Sequence, residues 1–92
     1  MEHYMIVKFE DDVNVKEAYE EIRDLFHEAE GIEGVKKADV FLSSSPLRNR
    51  YDMMIRVTMK KTALSSFEGS DLMKTWDERY GDQIAHLTVF DK

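Results

Sequence analysis

Tyr51-Asp52-Met53-Met54-Ile55-Arg56-Val57-Thr58-Met59 is the stretch on which the fold turns. Tyr51, Met53, Ile55, Val57 and Met59 alternate with Asp52, Met54, Arg56 and Thr58. That two-residue period predicts a strand with one apolar face and one mixed face. Upstream, the loop Ser43-Ser44-Ser45-Pro46 with Arg48, Asn49 and Arg50 separates it from a second predicted strand, Val35 to Leu42. Further back, His3 to Phe9 alternates in the same way: His3, Met5, Val7 and Phe9 on one side, Tyr4, Ile6 and Lys8 on the other. Asp11, Asp12 and Asn14 break that strand.

Asn14 is placed to cap a helix, with Glu17 completing a capping-box-like pair. Val15, Ala18, Tyr19, Ile22, Leu25, Phe26 and Ala29 then recur at helical spacing. Gly31 and Gly34 are expected to stop the helix, because glycine tolerates the left-handed backbone of a C-terminal cap. Downstream of Met59, Thr62 is expected to cap a short helical turn through Phe67, and Gly69 to break it. Ser70 is expected to cap a longer helix with a stripe of Leu72, Met73, Trp76, Tyr80 and Ile84. His86 to Phe90 reads as the last strand.

The order β-α-β-β-α-β predicts an α+β, ferredoxin-like fold. Residues 1–92 form one domain, a four-stranded antiparallel sheet with two helices on one face. The helices can cover only one face, expected to be that of Met5, Val7, Ile55, Val57, Leu87 and Val89. The other face carries Tyr4, Ile6, Met54 and Phe90 beside Arg56 and His86. An apolar patch of that kind marks an interface, so a homodimer is expected through these six residues. A solvated sheet with scattered apolar residues is the plainer alternative.

Composition narrows the partners. With 13 Lys and Arg against 19 Asp and Glu, the net charge is −6, which repels a phosphate backbone. No nucleic-acid partner is expected. The absence of cysteine excludes disulfides and thiolate ligands or nucleophiles. No apolar run approaches the roughly 20 residues of a membrane span, and Met1 to Tyr4 does not resemble the start of a signal peptide. A cytoplasmic location without membrane contact is the expectation.

Four segments in order resemble the stress-responsive A/B-barrel (Dabb) family of the dimeric α/β-barrel superfamily. They are His3-Tyr4-Met5-Ile6-Val7-Lys8-Phe9, the turn Ile32-Glu33-Gly34-Val35, Tyr51 to Met59, and Leu87-Thr88-Val89-Phe90-Asp91. Together they span nearly the whole chain. The resemblance implies a homodimer whose sheets pack face to face, with a pocket in each subunit between sheet and helices. It implies association with stress responses. One branch, resembling olivetolic acid cyclase, closes a polyketide by an aldol reaction. Many relatives carry an aromatic residue and then His-Pro-x-His at the start of the long helix; here the stretch is Phe67-Glu68-Gly69-Ser70-Asp71-Leu72-Met73. Phe67 stands where the cyclase has a tyrosine hydroxyl, and Met73 where it has its base. Neither side chain can exchange a proton at neutral pH, so cyclase chemistry is not expected.

The candidate ligand pocket comprises His3, Met5, Val7, Tyr19, Ile22, Phe26, Ile55, Val57, Phe67, Met73, Trp76, Leu87 and Val89. It suits a small apolar ligand, although methionines and aromatics at helical spacing also make ordinary cores. His3 is the single candidate acid or base, and no orienting partner for it is evident in the sequence. The histidines lack the spacing that gathers a metal site, so neither metal nor cofactor is expected. Two functions follow: a non-catalytic, stress-associated binding protein, or a small enzyme, cyclase-, lyase- or monooxygenase-like, acting on an apolar carbonyl compound.

Overall fold

The computed structural model describes residues 1–92. Four strands, β1 (Glu2–Phe9), β2 (Val35–Leu42), β3 (Met53–Met59) and β4 (Ile84–Asp91), form one antiparallel sheet in the order β2-β3-β1-β4. Between them run α1 (Val15–His27), then α2 (Leu64–Glu68) and α3 (Asp71–Tyr80). The second crossover is one helical path broken at Gly69 and Ser70, so the β-α-β-β-α-β order holds.

Local chemistry explains most boundaries. The Asn14 side chain accepts from the Glu17 amide at 3.2 Å, and the Ser70 hydroxyl from the Met73 amide at 3.3 Å. Each satisfies one of the amides left free at a helix start. Several boundaries differ from the sequence expectation. α1 passes into a 3-10 turn at Glu28–Gly31, and only Gly34, with φ +89°, takes the left-handed backbone. Thr62 caps nothing; it lies within a 3-10 turn, Lys61–Ala63, whose start has no side-chain cap. Ile84 belongs to β4 rather than to the α3 stripe, because α3 ends at Tyr80 and a 3-10 turn, Gly81–Gln83, leads into the strand.

Tyr51 and Asp52 lie before β3 rather than in it. Asp52 instead anchors the 43–52 loop to β1. Its amide donates to the Val7 carbonyl at 2.8 Å, and its carboxylate accepts from the Phe9 amide at 2.9 Å. The backbone groups at the end of β1 are thereby satisfied without a longer β3.

Register fixes the two faces. Met5 pairs with Ile55 and Val89, and Val7 with Met53 and Leu87; these side chains point to the helix side. Met5, Val7, Phe9, Met53, Ile55, Val57 and Met59 are buried there against Ile22, Phe26, Phe67 and Trp76. Leu87 and Val89 share that side but are 45% and 50% exposed. β4 is an edge strand paired only with β1, and the helices leave these two side chains uncovered. The expected placement of Leu87 and Val89 between helices and sheet is therefore corrected. The helix-free face carries Tyr4, Ile6, Met54, Arg56, His86 and Phe90, as the alternation predicted.

Candidate functional site

His3 is the second residue of β1 and points toward the helices, where it is 3% exposed. Antiparallel pairing sets it opposite Asp91 near the end of β4. The two side chains meet, His3 Nδ1 lying 2.5 Å from Asp91 Oδ1. The imidazole also meets the ring of Phe67 edge-on, with centroids 5.5 Å apart. A carboxylate on Nδ1 holds the proton there, which leaves Nε2 as the basic nitrogen. Asp91 is thus the orienting partner that no sequence spacing disclosed. The residues are 88 positions apart, and only the β1-β4 register joins them.

The other side chains expected to line a pocket fill the interior instead. Met5, Val7, Ile22, Phe26, Ile55, Val57, Phe67 and Trp76 are each at most 2% exposed. Phe26 and Trp76 meet edge-to-face, their ring centroids 5.4 Å apart. Tyr19 and Met73 are half-buried at the core margin, and Leu87 and Val89 stand outside it. None of the protein's five cavities is lined by His3, Phe67, Met73 or Trp76. In this close-packed interior His3 borders none of the five cavities.

The helix-free face has a different chemistry. Tyr4 and Phe90 are cross-strand partners with ring centroids 6.4 Å apart. Arg56 lies at the centre, its Nη2 donating to Asp39 Oδ2 at 2.9 Å and its guanidinium 5.2 Å from the Phe41 ring centroid. The hydrogen bond to Asp39 raises the Arg56 pKa above its ordinary value. Arg56 Nε is buried with no hydrogen-bond partner. Phe90 and Phe41 are exposed on the same face. Nowhere do three or more His, Asp or Glu side chains converge as metal ligands. No helix is long and apolar enough to cross a membrane.

This architecture is a ferredoxin-like α+β fold, and solved structures share it over almost the full chain. A dimeric protein of unknown function and ferredoxin-like fold from Bacteroides fragilis is 14% identical with TM-score 0.82, covering 99% of this chain and 92% of that one. The Arabidopsis thaliana protein At3g17210 is 18% identical with TM-score 0.79, covering 99% and 91%. A Dabb family protein with a ferredoxin-like fold from Mesorhizobium loti is 12% identical with TM-score 0.71, covering 99% and 92%. The chain thus has the fold that Dabb proteins have. No family model and no curated protein matches its sequence.

Proposed function

We propose that this chain is one half of a homodimer of the Dabb kind, a cytoplasmic, stress-associated protein that binds a small ligand and does not catalyse a reaction. The observation that carries the reading is the contrast between the two sides of the sheet. The helix side is filled, and the helix-free side leaves Phe90 59% and Phe41 41% exposed beside Tyr4, Ile6 and Met54. An apolar patch of that composition is stable in water when a second surface covers it. A second copy supplies a face of the same character. The Bacteroides fragilis protein of the same fold is described as dimeric, which supports the choice of a second copy. The test is sedimentation at micromolar concentration. Wild type is expected as a dimer and Met54→Glu as a monomer, because the new carboxylate would be buried without a partner. A monomeric wild type would overturn the reading.

The His3–Asp91 pair favours a second reading, an enzyme acting on an apolar carbonyl compound with Nε2 of His3 as the base. It requires the core beside Phe67 to open and admit a substrate. Turnover that is lost in His3→Gln while the fold persists would establish it. Cyclisation of linear poly-β-keto substrates is expected to stay at the spontaneous rate, since Phe67 and Met73 carry no group that exchanges protons.

A further inference from the structure

On the helix side, the start of α1 and the end of α3 enclose a cavity of about 460 Å³, within the range of small-molecule sites. Asp12, just ahead of α1, and Glu17 and Glu21, one turn apart on it, form one wall. Arg79, near the end of α3, stands on the other. The buried side chains of Ala18 and Tyr80 lie beneath. None of these residues belongs to the helix-free face, so a second copy covering that face leaves the cavity open.

The charges around it are unpaired. Asp12, Glu17 and Glu21 have no Lys, Arg or His within ion-pair distance, and Arg79 has no carboxylate within it. Glu21 Oε1 accepts from the Tyr80 hydroxyl at 3.0 Å, and Oε2 is free. The phenol gives its one proton to Glu21, so its oxygen remains an acceptor. Both walls are held from outside the cavity. The Asn14 side chain accepts from the Glu17 amide at 3.2 Å. The Gln83 side chain donates to the Arg79 carbonyl at 3.1 Å, and the Gln83 carbonyl accepts from the Glu10 amide at 2.8 Å. Carboxylates and guanidinium thus border one volume without neutralising each other across it. A ligand that satisfies both walls carries both signs of charge, and three carboxylates against one guanidinium favour a surplus of positive charge on it. We propose that this cavity binds a basic α-amino acid, its carboxylate on Arg79, its two ammonium groups on Asp12, Glu17 and Glu21, and its methylene chain over Ala18 and the Tyr80 ring. The planar fork of Arg79 suits the two oxygens of a carboxylate, and each ammonium has three protons to donate. The proposal names the ligand class of the binding reading above and rests on it.

The test is calorimetric titration of the full chain with lysine, with cadaverine, which lacks the carboxylate, and with norleucine, which lacks the side-chain ammonium. Saturable binding of lysine, one per chain, is expected. Cadaverine and norleucine are expected to bind about tenfold more weakly or worse, the loss that one charge-assisted contact implies. Arg79→Gln, at an exposed position, is expected to bring lysine down to the affinity of cadaverine and to leave cadaverine binding and the denaturation midpoint unchanged. Equal affinity of the wild type for cadaverine would overturn the role of Arg79, and equal affinity for norleucine that of the acidic wall. Absence of saturable lysine binding, or an unchanged lysine affinity in Arg79→Gln, would overturn the site. A dimeric wild type that does not bind lysine would remove this inference and leave the dimer; a monomeric wild type that binds it would do the reverse.

Discussion

The Tyr80 hydroxyl donates to Glu21 Oε1 at 3.0 Å and joins the end of α3 to the middle of α1. Burial first, and the hydrogen bond to Glu21 second, push this phenol from 10.0 up to about 12. A raised pKa means that the fold favours the neutral phenol. The stabilisation is complete below the unfolded value of about 10 and is lost as the pH rises through the folded value of about 12. Tyr80→Phe is expected to cost about 0.5–1.5 kcal/mol at neutral pH, the net worth of one hydrogen bond. That deficit should shrink between pH 10 and 12, which urea denaturation of both proteins across alkaline pH measures; a constant deficit would refute the assignment. At this scale the sequence is a partial guide. Helical spacing placed Tyr80 on the inner stripe but did not disclose its hydrogen bond to Glu21. Likewise, alternation placed His3 inside and Asp91 stayed invisible. Contacts between residues far apart in the chain depend on register and on helix rotation, which no local pattern encodes.

Elements were far more legible than pairs. The alternation of Tyr51 to Met59 and the caps at Asn14 and Ser70 rest on interactions within a few residues, and the corresponding strand and helices formed. The boundaries that moved, at Gly31, Thr62 and Ile84, are those where tertiary contacts decide how a helix ends. Gly34 shows why. Its φ of +89° is the left-handed region, and a Cβ there would lie 2.8 Å from Ala63 Cβ. Its carbonyl also accepts from the Lys60 amide at 2.9 Å, so the entry to β2 is pressed against the exit of β3. Gly34→Ala is expected to destabilise the fold by at least about 1–2 kcal/mol from the backbone alone, with the contact adding to it. Gly31→Ala is the matched comparison: nothing lies within 4 Å of its Cβ and its φ is not positive. It is expected to be neutral or to stabilise by up to about 1 kcal/mol through the unfolded state. Equal effects in urea denaturation would show that the Gly34 turn carries no strain.

A 92-residue chain buries a modest share of its surface alone. Here the shortfall is concentrated in one place. β4 is covered on neither side: Leu87 and Val89 stand out on the helix side and Phe90 on the other. Sequence patterning had assigned Leu87 and Val89 to the core because alternation tells which residues share a face, not whether anything reaches that face. For the same reason the expected pocket was legible as a set of inward side chains and not as a packed interior. If a second copy covers the helix-free face, folding and association are linked, because the dimer binds its own folded form and not the unfolded chain. The melting temperature must then rise with protein concentration. Tenfold in concentration is worth about 1.4 kcal/mol per dimer, or about 0.7 kcal/mol per chain. For a domain of this size that corresponds to a rise of about 3–5 °C. Met54→Glu should melt lower and at a temperature independent of concentration, because Met54 sits beside Ile6 at the centre of the face. Differential scanning calorimetry over a hundredfold range of concentration separates the cases. A wild-type melting temperature that stays flat across that range would mean that the exposed strand is tolerated by a monomer, and that the apolar face serves something other than a second copy.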